Sequence, residues 1–234
     1  VTGGVMPERP VVRTYNRQSL EEHRPLAAPG GAADGRALVS SGRMRPNHRL
    51  VVVDEETGQP LPDGQIGEIW INGPSVGGGY WNREDETERI FRAKVTEYPG
   101  VSCLRTGDLG FIDDGEVFIT GRCKDLIVIR GRNLYPSDVE QTVEGCHDAL
   151  QVGGGAVFSD DDGDEERLIV AQELKREARN ADTDEIIECI RQAILEEHDV
   201  AASTIYLLRS GKLPKTSSGK VQRGASRSAY LDGA

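Results

Sequence analysis

Residues 105–140 read RTGDLGFIDDGEVFITGRCKDLIVIRGRNLYPSDVE, and this stretch decides the fold. Leu109, Phe111 and Ile112 precede Asp113-Asp114-Gly115, and Val117, Phe118 and Ile119 follow it. Two apolar runs around an Asp-Gly turn predict a β-hairpin, because glycine accepts the positive φ of a tight turn. Asp108, expected at the start of the first strand, and Gly121-Arg122, at the end of the second, then lie side by side at the open end. A carboxylate there can accept hydrogen bonds from two vicinal hydroxyls of a sugar, and a guanidinium beside it can donate. The same placement also suits a surface salt bridge at a hairpin base, which adds little to stability.

Outward from the hairpin, the two flanks differ. Upstream, Leu50–Val53 and Ile66–Asn72 read as strands, with Ile69 and Ile71 alternating around Trp70. Glu84–Arg92 reads as a short helix with Asn82 near its cap and Ile90-Phe91 as its apolar contact. Residues 1–47 carry weak periodicity and many Pro, Gly and Ala residues, with a loop-like stretch at Pro25–Gly35, so irregular structure is expected there.

Downstream, Leu126–Ile129 predicts a strand and Gly131–Tyr135 a loop. Ser137 with Glu140 forms a capping box opening a helix that buries Val139 and Val143 and stops at Gly145. Ala156–Phe158 and Leu168–Gln172 are strands separated by a solvated acidic turn, Asp160–Glu166. Asp182 and Glu185 cap a helix with Ile187, Ile190 and Ile194 on one stripe, and Thr204–Leu208 is a last strand. The fold class is α+β: a β-rich piece, then a smaller α+β domain.

A second polar motif follows that strand. Leu213–Arg223 reads LPKTSSGKVQR, a Gly- and Ser-rich loop delivering Lys220. A Walker phosphate loop is excluded, because Pro214 stands where its first glycine belongs and Val221 where its hydroxyl belongs. A disordered basic tail is the plain alternative.

Composition excludes several classes. With 234 residues and 37% hydrophobic content the chain can bury a substantial core. A net charge of −11 argues against a nucleic-acid or anionic-membrane surface. No apolar run is long enough to span a bilayer, and a cytoplasmic location is expected. Cys103, Cys123, Cys146 and Cys189 show no CxxC spacing, and His23, His48, His147 and His198 are not grouped, so no metal site is expected. Cys123 has no neighbouring histidine in sequence that would activate it as a nucleophile.

The two motifs together resemble the signatures of the adenylate-forming superfamily: acyl-CoA synthetases, luciferases, nonribosomal-peptide adenylation domains and fatty acyl-AMP ligases. The resemblance implies that Asp108 binds the ribose of ATP, that Arg122 contacts ribose and phosphate, that Lys124 is the hinge between two domains, and that Lys220 is the catalytic lysine. It implies the end of a large amino-terminal domain over 1–121, irregular and insertion-like at 1–47 and β-rich at 48–121. A hinge at 122–125 and a small mobile α+β domain at 126–234 follow. The family's phosphate loop, adenine motif and most of its acyl pocket have no counterpart in this sequence. The chain is therefore expected to be the carboxyl-terminal part of a longer enzyme and inactive by itself.

Ile129–Pro136, IRGRNLYP, and Gly67–Arg83, GEIWINGPSVGGGYWNR, resemble the fatty acyl-AMP ligase branch, although Leu134 stands where that branch commonly has histidine. Ser19–Ser41 falls where those ligases carry an insertion proposed to restrain domain motion and disfavour CoA. The resemblance implies attack of a fatty carboxylate on the α-phosphate of ATP, with Mg2+ on the phosphates and Lys220 stabilising the transition state. Rotation about Lys124 would then bring the loop around Gly131 to the acyl adenylate, for attack by the phosphopantetheine thiol of an acyl carrier protein. An acyl-CoA synthetase, an amino-acid adenylation domain and a non-catalytic interaction module remain alternatives.

Overall fold

In the computed structural model, which describes residues 1–4, 9–28, 35–96, 98–161, 166–178 and 180–233, the chain divides into two units, Val1–Lys124 and Asp125–Ala234. Most of the loop-like stretch at 25–35, and the centre of the acidic turn at 160–166, lie outside the described residues.

The first unit contains β1 (Thr2–Gly3), β2 (Val12–Asn16), α1 (Arg17–Glu21), β3 (Gly35–Met44), β4 (Arg49–Val53), β5 (Gly67–Asn72), α2 (Glu84–Phe91), β6 (Ala93–Lys94), β7 (Ser102–Asp113) and β8 (Glu116–Arg122). Its sheet runs β1-β3-β8-β7-β5-β4, with β2 also on β3 and β6 on β7. The hairpin forms as expected: Asp113 pairs with Glu116 across Asp114-Gly115, whose φ values of 51° and 75° give the turn that matches strand twist. Tyr15 packs edge-on against Phe111 and Phe118, with ring centroids 5.0 and 5.5 Å away. The β-branched run of β4 is buried on both faces, Val51 and Val53 with Trp70 and Leu50 and Val52 with Ile69.

Two expectations are corrected in this unit. Residues 1–47 are not irregular: β2 and the ten-residue β3 lie there, and β3 is held between β2 and β8. Only Leu38 of its apolar side chains is buried, so ladder hydrogen bonds rather than an apolar pattern define it. Asp108 lies within the strand rather than at its start, because pairing of β7 begins at Ser102. The helix cap is Arg83, next to Asn82 as expected, and Asn82 itself is left-handed, with φ 53°.

The second unit contains β9 (Ile127–Ile129), β10 (Arg132–Leu134), α3 (Pro136–Cys146), β11 (Leu150–Asp161), β12 (Glu166–Leu174), α4 (Thr183–His198), β13 (Ala202–Arg209) and α5 (Arg223–Leu231). β11 and β12 are antiparallel, and β13 returns parallel to β12 after α4. One core joins Val139 and Val143 of α3 to Ile186, Ile190 and Ile194 of α4 and to Val157, Leu168 and Val170 of the sheet. Each such side chain contributes roughly 1.5–3 kcal/mol on burial. A second cluster gathers Ala156, Phe158, Ile169 and Ala171 with Leu213, with Tyr230 of α5 against it.

Here too the detail departs from expectation. The loop at 131–135 contains β10, which folds back on β9. Ser137 does not cap α3; Tyr135 is the cap and Pro136 the first helical residue, where its missing N–H costs nothing. The buried stripe of α4 uses Ile186 instead of Ile187, while Asp182 caps it by accepting from the N–H groups of Asp184 and Glu185 at 3.0 and 3.3 Å. The strands are longer than their apolar cores predicted. α5, which no pattern had marked, follows the lysine loop.

Candidate functional site

In the first unit the site is built on a bulge. Glu68 of β5 pairs with Leu109 and Trp70 with Arg105, so Thr106-Gly107-Asp108 bows out opposite Ile69. Gly107 takes φ 70°, which an L side chain resists there. The Thr106 hydroxyl donates to the Ile69 carbonyl at 2.7 Å and accepts from the Asp108 N–H at 3.1 Å. Behind the bulge Glu68, 2% exposed, accepts from Arg105 Nε and Nη2 at 3.0 and 2.6 Å and from the Gly107 N–H at 3.1 Å. The hydrogen bond to that carboxylate raises the Arg105 pKa. Bulges re-aim side chains, and this one delivers Asp108 beside Arg122, its register partner on β8.

Arg122 Nε donates to Asp108 Oδ1 at 3.2 Å, and the two side chains are 60% and 36% exposed. An ion pair this wet is worth about 0–1 kcal/mol. Both groups keep unused hydrogen-bonding positions facing water: the carboxylate can accept two hydroxyls, the guanidinium can donate to hydroxyl or phosphate oxygens.

Cys123 and Lys124 follow in a 3-10 turn, Cys123–Asp125. Burial first, then the charges of Glu55 and Glu68, push the Cys123 thiol up to about 12, which removes it as a nucleophile. Lys124 is exposed and ends the first unit. Gly131, φ 77°, follows Arg130, φ 51°, in the turn between β9 and β10, where Ile129 pairs with Arg132.

Lys220 sits on an ordered turn rather than in a loose tail. The Thr216 N–H donates to the Lys220 carbonyl at 2.8 Å and the Gly219 N–H to the Thr216 carbonyl at 2.9 Å. The Lys220 N–H donates to Thr216 Oγ1 at 3.1 Å. Lys215 bridges to Val221, and the Gln222 N–H donates to the Pro214 carbonyl at 2.9 Å. Lys220 itself is exposed, and its ammonium makes no ion pair among the described residues. The structure thus brings Asp108 and Arg122 together in the first unit and presents Gly131 and Lys220 on separate turns of the second.

Sequence reasoning missed the groups that hold these turns. Arg223 of α5 clasps Glu140 at 2.7 and 2.6 Å and reaches Asp125 at 3.3 Å. Glu173 of β12, 1% exposed, accepts from the Leu213 N–H at 2.8 Å and from Lys215 Nζ at 3.0 Å. The available signal was an acid inside an apolar run, Glu68 in GEIWIN and Glu173 in LIVAQEL.

Comparison with known proteins matches residues 124–234 to the AMP domain of Disco-interacting protein 2-like proteins and residues 22–81 to AMP-binding enzymes. The chain is 42% identical over 229 residues to the medium-chain-fatty-acid acyl-carrier-protein ligase JamA of Moorena producens, covering 97% of this chain and 39% of that protein. It is 36% identical over 258 residues to the long-chain-fatty-acid-AMP ligase FadD32 of Mycobacterium marinum, covering 97% of this chain and 41% of that protein. A solved structure from work on fatty acyl-adenylate ligases of E. coli and L. pneumophila superposes with a TM-score of 0.81 at 29% identity, covering 96% of this chain and 38% of that one. The chain therefore spans about two fifths of the length of the curated relatives it matches.

Proposed function

From its place in the adenylate-forming, AMP-binding superfamily, to which the chain belongs and within which it is most like the carboxyl-terminal part of a fatty acyl-AMP ligase, we propose that the whole protein activates a fatty acid with ATP to acyl-AMP. It then passes the acyl group to an acyl carrier protein. The observation that carries the reading is the Thr106–Asp108 bulge, which spends ladder hydrogen bonds to set an exposed carboxylate in register with Arg122. Asp108 would accept the two ribose hydroxyls, and Arg122 would donate to ribose and phosphate oxygens. Lys220 would donate to the oxygens on which charge develops as carboxylate and α-phosphate react; losing such a donor costs roughly 3 kcal/mol of barrier.

Among the described residues no His, Cys, Asp or Glu cluster suits a divalent cation, so Mg2+ would accompany the triphosphate rather than bind this chain's side chains. Between the half-reactions the chain would swivel at Lys124, and the turn at Gly131 would face the incoming thiol. By the relatives' coverage, the chain by itself would lack a complete nucleotide site and be inactive. The similarity to JamA, an acyl-carrier-protein ligase, favours a carrier protein over CoA as acceptor. The test is incubation of the full-length enzyme with ATP, a fatty acid, and either CoA or carrier protein. Acyl-AMP and acylated carrier are expected; efficient acyl-CoA formation refutes the acceptor assignment.

A further inference from the structure

The lysine loop leaves β13 at Arg209 and enters α5 at Arg223. Between them Leu213 is buried against Phe158, Ile169 and Ala171, which seats the start of the loop in the second core. The buried carboxylate beside this seat is Glu173. It receives a main-chain N–H from Leu213 at 2.8 Å and the Lys215 ammonium at 3.0 Å, both from the loop itself. Burial opposes its ionisation, but the Leu213 N–H and Lys215 outweigh burial and hold its pKa below the ordinary carboxylate range.

From Lys215 the order passes to Lys220 in two steps. Lys215 bridges to Val221, and Thr216 receives the Lys220 N–H on its hydroxyl at 3.1 Å. The far end is tied separately, by Arg223 on Glu140. Glu140 thus holds the helix that follows, whereas Glu173 holds the strand of the turn that leads into Lys220.

We infer that Glu173 is a positioning residue for adenylation: through Leu213 and Lys215 it fixes the turn that carries Lys220. This rests on the role proposed for Lys220. Glu173→Gln keeps an acceptor for the Leu213 N–H but sets an amide against the Lys215 ammonium, so the turn loosens while the core stays filled.

Two readouts test it. On this chain, limited trypsin digestion follows cleavage after Lys220. Wild type is expected to be cut slowly and Glu173→Gln about ten times faster, because cleavage tracks local opening. In the full-length enzyme, Glu173→Gln is expected to slow acyl-AMP formation about tenfold, a modest misplacement by the standards of catalytic geometry, with the KM for ATP and carrier acylation from preformed acyl-AMP unchanged. If the Glu173 variant does not fold, Lys215→Met gives the same two readouts, and Lys215→Arg is expected to restore protection. Unchanged digestion, or equal slowing of both half-reactions, overturns the inference. A Lys220→Ala enzyme that still forms acyl-AMP normally overturns the role of Lys220 instead, and the digestion still decides whether Glu173 holds the loop.

Discussion

Glu68→Gln probes the bulge that carries Asp108. Glu68 is 2% exposed and takes three hydrogen bonds, two from Arg105 at 3.0 and 2.6 Å and one from the Gly107 N–H at 3.1 Å. Breaking a buried ion pair by removing one partner costs about 3–5 kcal/mol. Two features reduce that here. The Arg105 side chain is 29% exposed and lies 5.4 Å from the centroid of the Trp70 ring, so its charge keeps some water and a π face. Glutamine also retains an acceptor for Gly107. The expected loss is about 2 kcal/mol, or roughly 1 M in urea midpoint for a domain of this size.

Fluorescence isolates the effect. The chain's two tryptophans, Trp70 and Trp81, both lie in the first unit, one buried and the other 90% exposed. The emission shift on unfolding therefore reports Trp70, two residues from the substitution on the same strand. A loss under about 0.5 kcal/mol, the range of an ordinary surface change, refutes the claim that Glu68 holds the bulge.

Lys220→Ala in the full-length enzyme should slow acyl-AMP formation about a hundredfold, equivalent to roughly 3 kcal/mol, and spare carrier acylation from preformed acyl-AMP; equal loss of both steps counts against separate roles. Gly131→Ala should cost about 1–2 kcal/mol from its left-handed backbone alone, since an added Cβ meets nothing within 4 Å. Circular dichroism across a urea titration checks this. Alkaline stability should fall through the thiols: burial above all pushes Cys123 and Cys146 up to about 12 from an ordinary 9.0. Between those values the unfolded chain binds fewer protons than the folded one, so stability drops as pH rises above about 9. Urea midpoints at pH 8 and 10 measure it, and Cys123→Ala with Cys146→Ala should flatten the difference.

What was legible in the sequence was local. The hairpin at 102–122 is written in its turn, because Asp114-Gly115 takes a backbone few other pairs adopt. The α4 cap at Asp182 is likewise a contact with its own next residues. β3 was not legible, because its order comes from strands that precede and follow it by many residues. Ile186 and Ile187 differ by one position in an apolar stretch, and only the packing of α4 on α3 decides which faces in. Ser137 lost the cap of α3 to Tyr135 because Pro136 is the better first helical residue. At the site, Asp108, Arg122, Gly131 and Lys220 stood out as polar punctuation, while Glu68 and Glu173 hid inside apolar runs.

Those two hidden acids do the same job in unrelated surroundings. In each segment a basic residue is followed directly by threonine: Arg105-Thr106 before Asp108, and Lys215-Thr216 before Lys220. The basic side chain is drawn onto a carboxylate buried in a neighbouring strand, Glu68 or Glu173, which also takes one main-chain N–H from the same segment. The threonine hydroxyl then accepts the backbone N–H of the proposed ligand-binding residue, at 3.1 Å from Asp108 and at 3.1 Å from Lys220. The device separates two demands that conflict at one residue. A group that must meet a ligand has to stay in water, where its own contacts hold it weakly. Its backbone must still be placed to well within 1 Å. Charge buried behind the turn supplies the rigidity, and the carboxylate, despite its contact with Arg122, and the ammonium keep hydrogen-bonding positions open to water.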